Sequence, residues 1–272
     1  MKRAQTWQLA CATVAMAALV PAANAQSTSE DKLALMGSGS TLTNTSGGWG
    51  ASALWLHYFN ADTIAGLGAE HETIGDARWN FGKLTLNHGF GAADARTNLY
   101  LEGAEGTGKD NVHDYDYSIW AVGVYQNFTR QFILQLEDRQ VDVDTARGNL
   151  PKVGVQYLWT PRLATSVGYA HSFNDTIQMR TRLPSARVDG YTKSVNVFAG
   201  LANGEAAAIL IDPNSGTGRD RPSILHEYYV GIGRAFARAD GTVVLDFSRL
   251  NGNDHWTLTF NATLHKRTGA AR

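Results

Sequence analysis

Residues 255–265, HWTLTFNATLH, decide the fold because their side chains alternate between apolar and polar. Trp256, Leu258 and Phe260 are apolar, and polar side chains separate them. Successive side chains of a β-strand point to opposite faces, so a period of two predicts a strand with one apolar and one polar face. The same alternation recurs from about residue 33 onward, with turn residues between the segments. It predicts an all-β protein.

The N-terminus has the pattern of a secretory signal peptide. Lys2 and Arg3 supply positive charge, an apolar run covers 9–20, and Ala23-Asn24-Ala25 has the form of a cleavage site. The run of about 12 residues is shorter than the roughly 20 that a membrane-spanning helix needs. We therefore predict a cleaved signal peptide at 1–25 and a single mature domain at 26–272.

Composition narrows the class of the mature protein. Cys11, the only cysteine, falls within the predicted signal peptide, so we expect no disulfide and no thiolate chemistry. The eight histidines are dispersed, and we expect no metal or other cofactor. A formal net charge of −1 without a basic stripe does not favour nucleic acid. No other apolar run is long enough for a membrane helix, so an integral membrane protein of this composition would have to be a closed β-barrel.

The spacing of the turns predicts that this barrel crosses the outer membrane. The alternating segments have roughly the length of tilted transmembrane strands, and aromatic residues cluster near their ends, as in interfacial girdles. We predict a closed antiparallel transmembrane β-barrel of about 12–14 strands, with the segments at 33–44 and 205–212 the least certain. Longer connections are expected at 106–116, 144–148, 174–189 and 212–222. A soluble periplasmic β-protein, which alternates in the same way, is the alternative.

Residues that alternate with the lipid-facing ones should line the lumen. The predicted lumen-lining set is Tyr100, Glu102, Gln135, Glu137, Arg139, Lys152, Gln156, Glu227, Tyr229 and Asp246. Charges of both signs could pair and plug the barrel, or they could line a water-filled passage and set its selectivity. In the predicted loop at 174–189, Arg180, Arg182 and Arg187 could neutralise lipopolysaccharide phosphates.

Three segments resemble Gram-negative outer-membrane barrels and, more narrowly, the YaiO-type barrel family. They are GWGASALWLHYF at 48–59, GNLPKVGVQYLWTPRLATSVGYAHSF at 148–173 and GTVVLDFSRLNGNDHWTLTF at 241–260. The resemblance implies a narrow pore or export accessory, with exopolysaccharide as a candidate cargo and a polysaccharide secretion system as a candidate partner. Location in the cell outer membrane also implies contact with lipopolysaccharide and insertion by the barrel-assembly machinery. The resemblance assigns no functional residue.

Two other functions stay open at the level of sequence. A barrel with a plugged lumen would be a structural or surface protein. An outer-membrane lipid hydrolase or deacylase would need a nucleophile beside a base, and His171-Ser172 is the only local candidate. Neighbouring strand residues point to opposite faces, which separates this pair. We therefore expect no enzyme activity and no catalytic residue.

Overall fold

The computed structural model describes residues 30–42, 45–74, 77–92, 94–109, 114–144, 146–174, 179–206, 223–236, 239–250 and 253–265. The predicted signal peptide lies outside the described residues. The strands are β1 (Glu30–Leu42), β2 (Thr45–Tyr58), β3 (Thr63–Ile74), β4 (Ala77–Phe90), β5 (Thr97–Lys109), β6 (Asp114–Asn127), β7 (Phe132–Val143), β8 (Ala146–Asn149), β9 (Lys152–Thr160), β10 (Leu163–Asn174), β11 (Met179–Tyr191), β12 (Val195–Ala206), β13 (Ser223–Ala235), β14 (Ala239–Leu250) and β15 (Asn253–His265).

These strands form one closed antiparallel sheet. Neighbours in the chain pair with each other, and β1 also pairs with β15, which closes the barrel. The short β8 and the following β9 form one crossing, because both pair with β7 and β10 in an unbroken register on either side of Pro151. Proline has no backbone N–H, so it interrupts the ladder without changing the register. The barrel therefore has 14 strands, which confirms the predicted fold class.

The 14 strands lie within the predicted range of 12–14, but two predicted segments were wrong. The segment Met179–Tyr191 is the strand β11, although we predicted that 174–189 is a loop. The predicted strand at 205–212 is not a separate crossing, because Ala206 ends β12 and 207–212 lie outside the described residues. The strand β11 was difficult to recognise from the sequence. Its outward-facing positions include Arg180, Arg182 and Pro184, whereas the outward-facing positions of the other strands are mostly apolar.

Two of the other predicted long connections are mostly strand, and the third, at 212–222, lies outside the described residues. The strands β5 and β6 cover most of 106–116, and β8 covers 146–148 of the predicted connection at 144–148. Six residues or fewer separate consecutive strands everywhere except between β12 and β13. The residues between β12 and β13, 207–222, lie outside the described residues. The strand ends that flank them, Ala206 and Ser223, lie at the end of the barrel opposite to Glu30 and His265.

The seam between β11 and β12 is incomplete. Paired positions run from Tyr191↔Asn196 to Ser185↔Ala202 and stop there, whereas β10–β11 and β12–β13 are paired over their whole lengths. The next residue along β11 is Pro184. The backbone N–H of Tyr191 bonds to Arg162 on the β10 side, and strand residues alternate, so position 184 directs its backbone toward β12. Its missing N–H removes a donor at the point where the ladder ends.

Large apolar side chains cover the outside of the barrel. In β5, Leu99 and Leu101 are 41% and 49% exposed, while the residues between and after them, Tyr100 and Glu102, are 7% and 5% exposed. The same contrast separates the exposed Val230 from its neighbour Tyr229 in β13. An apolar outer face and a polar inner face are the arrangement that a barrel in lipid requires. Among the described residues, no helix is long and apolar enough to cross a membrane.

Candidate functional site

The inner wall of the barrel is the candidate site. The structure places the predicted lumen-lining residues at inward-facing positions of five strands: Tyr100 and Glu102 on β5; Gln135, Glu137 and Arg139 on β7; Lys152 and Gln156 on β9; Glu227 and Tyr229 on β13; and Asp246 on β14. The lipid-facing residues beside them are exposed, among them Leu136, Val153 and Leu245. Whether any of these inward residues contacts a solute stays a prediction.

Glu102 is the centre of an ion-pair network on the wall formed by β4 to β7. Its carboxylate accepts a hydrogen bond from the Tyr100 hydroxyl and lies 3.5 Å from Lys83 Nζ and 3.8 Å from Arg139 Nη2. Arg139 also lies 3.4 Å from Glu137. Glu102 is 5% exposed, and a buried carboxylate needs such partners because burial removes its hydration.

A small residue on β6 makes this network geometrically feasible. Glu102, Ala121 and Arg139 occupy one row across β5, β6 and β7. Because alanine is short, the guanidinium of Arg139 passes over β6 and reaches the carboxylate of Glu102. In the adjacent row, Gly123 lies between Tyr100 and Glu137, and the Tyr100 ring lies close to the position that a Cβ of Gly123 would take.

The sequence did not single out Lys83. In β4, Trp79 and Phe81 share the inward parity of Lys83, while Leu84 and Leu86 face outward. The apolar residues of β4 therefore face inward in its first half and outward in its second half. Because the aromatic residues before Lys83 are apolar, the alternation did not predict that Lys83 faces the lumen. The switch of the apolar residues from one face of β4 to the other was the feature of the sequence that could have identified Lys83.

A second cluster lies on β11 and β12. The guanidinium of Arg187 donates to the Asp189 carboxylate, with Nη2–Oδ1 at 2.6 Å and Nε–Oδ1 at 3.0 Å. It also stacks on the ring of Phe198, 4.1 Å from the ring centroid. Our prediction that Arg187 lies in a loop and neutralises lipopolysaccharide is wrong, because it faces inward and is paired. Arg180 and Arg182 have the outward parity and are exposed.

Large inward side chains lie along the wall rather than across the lumen. Gly200 is paired with Tyr229, and a Cβ at Gly200 would collide with that tyrosine ring. The ring of Phe198 lies in the same way over Gly231 of β13. The absence of a Cβ at these glycines provides the space, so the rings pack against neighbouring backbone.

Charged residues on β9, β13 and β14 also interact with one another. Lys152 of β9 lies near Gly168 of β10 and is close enough to Glu227 of β13 for the two charges to interact. Glu227 also interacts with the carboxyl group of Asp246 on β14. Three strands separate β9 from β13 in the sheet, so these two charges belong to different parts of the inner wall.

The hydrolase candidate does not form a catalytic pair. His171 and Ser172 point to opposite faces of β10. The Ser172 hydroxyl is 5% exposed and hydrogen-bonds to Thr181 of β11. Within the described residues, no group of three histidine, cysteine or acidic side chains is arranged to hold a metal ion.

Known proteins with solved structures share this architecture. The chain is similar to the CymD monoaromatic hydrocarbon channel, with a TM-score of 0.59, 9% sequence identity, and coverage of 90% of each chain. It is similar to the Pseudomonas putida toluene transporter TodX, with a TM-score of 0.57, 8% identity, and coverage of 88% of this chain and 89% of that one. For a bacterial polysaccharide outer membrane secretin the TM-score is 0.54, with 10% identity over 87% and 98%. The fold is that of outer-membrane channels.

No protein-family model matches the chain, and no curated protein sequence matches it. The structural similarity at these low identities concerns the fold alone. The assignment to the YaiO-type family therefore stays a prediction.

Proposed function

We propose that the protein is a narrow outer-membrane pore that admits small polar or charged solutes. The observation that carries the proposal is the way in which bulky inward side chains lie flat over small residues of the neighbouring strand, as Tyr229 does over Gly200. A barrel of 14 strands is wider than the eight-stranded barrels whose side chains fill the interior. Side chains held against its wall leave a central passage.

The chemistry of the inner wall favours polar solutes over hydrocarbons. Two of the similar structures are described as a monoaromatic hydrocarbon channel and a toluene transporter. In this chain, however, the middle of the lumen carries Glu102, Arg139 and Lys152, whose desolvation by a hydrocarbon would be costly. Charged rings of this kind set ion selectivity in water-filled pores.

Export of exopolysaccharide is a second candidate function. A polysaccharide outer membrane secretin is among the similar structures. Trp79, Phe81 and Tyr115 lie on the inner wall above the charged residues, and aromatic rings beside carboxylates can stack on and hydrogen-bond to sugars. In this case the protein would work with a polysaccharide secretion system, and deletion of its gene would reduce surface polysaccharide.

Liposome swelling tests the pore. Vesicles that contain the refolded protein should swell in small uncharged osmolytes such as arabinose and should not swell in larger oligosaccharides. Vesicles with denatured protein are the control. If inserted and folded protein causes no swelling in any osmolyte, the lumen is plugged and the structural or surface function takes the place of the pore.

We also propose that the protein is not a lipid hydrolase. The opposite orientation of His171 and Ser172 supports this proposal, because a nucleophile and its base must lie within about 3 Å. Release of fatty acid from phospholipid or lipopolysaccharide by the purified wild-type protein, lost in Ser172→Ala, would contradict it.

A further inference from the structure

The inner wall repeats one arrangement of residues in two neighbouring inward-facing rows across β3, β4, β5 and β6. One row contains Glu72, Trp79, Gly108 and Tyr115, and the next contains Glu70, Phe81, Gly106 and Tyr117. Each row therefore reads acid, aromatic, glycine, tyrosine. All of these residues face inward. They lie toward the end of the barrel opposite to the start of β1 and the end of β15. We call Glu70, Glu72, Trp79, Phe81, Tyr115 and Tyr117 the acid–aromatic wall.

Glycines bring the rings of this wall together. Gly108 separates Trp79 from Tyr115 in the row, and a Cβ there would collide with both rings. The Trp79 and Tyr115 ring centroids lie 6.3 Å apart, and those of Phe81 and Tyr117 lie 5.0 Å apart. The rings thus form a continuous aromatic surface over the β5 backbone, directly beside two carboxylates.

The two carboxylates and the indole N–H of the wall have no ion-pair or hydrogen-bond partner among the described residues. In the part of the chain that the structure describes, neither Glu70 nor Glu72 belongs to an ion pair within 4.0 Å. Lys83 is near enough to Glu70 to interact with it electrostatically, but its ion pair is with Glu102. Trp79 is 3% exposed, and its indole N–H has no acceptor among the described residues. A buried donor without an acceptor is unfavourable, and a ligand could satisfy it.

We infer that the acid–aromatic wall binds an organic ammonium ion that also carries a hydrogen-bond acceptor, such as an amino alcohol. The ammonium group would lie between the carboxylates of Glu70 and Glu72 and the faces of the neighbouring rings, since aromatic faces and carboxylates both attract cations. The acceptor would receive the indole N–H of Trp79. The inference deepens the proposed pore and rests on it, because the ligand reaches the wall through the lumen.

Choline is a suitable probe because it combines a quaternary ammonium group with a hydroxyl. Its binding to the refolded protein in detergent micelles can be followed by broadening of its N-methyl NMR signal. We expect saturable binding of choline and at least tenfold weaker binding of the uncharged isostere in which carbon replaces the nitrogen. Equal binding of the two compounds would overturn the inference, because the wall would then recognise only apolar shape.

Variants assign the binding to the wall. Glu72→Gln and Glu70→Gln should each weaken choline binding by about tenfold, since each removes a charged partner. Glu105→Gln is the matched control, because Glu105 is an exposed carboxylate on the outward face of β5 at a similar height. Lys83→Met should strengthen binding, because it removes the competing cation. Choline binding that is unchanged in both Glu70→Gln and Glu72→Gln would overturn the inference.

Each variant is first shown to be folded by its heat-modifiable migration in gels. If Glu72→Gln does not refold, Glu70→Gln in the neighbouring row carries the same test. Liposome swelling separates the two proposals. Swelling without choline binding overturns the inference and leaves the pore, whereas choline binding without swelling overturns the pore.

Discussion

Replacement of Arg187 by leucine should destabilise the barrel substantially. Arg187 and Asp189 form a buried pair on β11, with side chains 14% and 5% exposed. Loss of one partner leaves Asp189 as an unpaired buried charge, which typically costs about 3–5 kcal/mol. The stacking of Arg187 on Phe198 contributes roughly another 1 kcal/mol. Because the Arg187 side chain is still 14% exposed, we expect a loss near the lower limit, about 3 kcal/mol.

Equilibrium unfolding in urea, with the protein refolded in vesicles, measures this loss. The double variant Arg187→Leu/Asp189→Leu should regain most of the stability, because no unpaired charge remains. Arg182→Leu is the matched control, since Arg182 is exposed on the outward face of the same strand, and it should change stability by about 0.5 kcal/mol or less. The reasoning is refuted if Arg187→Leu behaves like the control, or if the double variant is no more stable than Arg187→Leu.

Three other changes test separate parts of the structure. Gly200→Val should lower the free energy of unfolding by roughly 1–3 kcal/mol, because the new side chain displaces the Tyr229 ring. Gly37→Val is the control and should not lower it, because nothing lies within 4 Å of a Cβ there. Equal losses in the two variants would contradict this prediction. Pro184→Ala restores an N–H toward β12, so hydrogen exchange near Asn203 should slow; unchanged exchange would show that another feature opens the seam. His171→Ala should leave the lipid composition of cells unchanged, and an altered acylation pattern would revive the hydrolase.

Alternation was sufficient to predict the fold because lipid imposes a single requirement on every strand. Strands such as β15, with Trp256, Leu258 and Phe260 facing outward, satisfy that requirement along their whole length. The strand β11 does not, because its outward parity carries Arg180 and Arg182 near one end and Pro184 in the middle. Charges near the membrane surface are tolerated, and a pattern based on apolar residues cannot recognise them as part of a strand.

The inner wall was harder to predict than the fold. The alternation of side chains identified Glu102, which follows the outward Leu101. It also identified Glu137 and Arg139, which continue the alternation set by Phe132, Leu134 and Leu136. Parity did not identify Lys83 or the acid–aromatic wall, since inward aromatic residues look like lipid-facing ones. It also gave no account of Gly106 and Gly108, whose importance depends on the register between β4, β5 and β6. The register between strands determines which distant residues lie side by side, and it could not be predicted from this sequence alone.

Single-channel conductance of the refolded protein in a planar bilayer tests the central claim most directly. The wild-type protein should show discrete conductance steps. Glu137→Ala should shift ion selectivity toward anions and Lys152→Ala should shift it toward cations, because both side chains face the lumen. Protein that is shown to be inserted and folded but conducts no ions, or conductance whose selectivity ignores both variants, would contradict a pore lined by these residues.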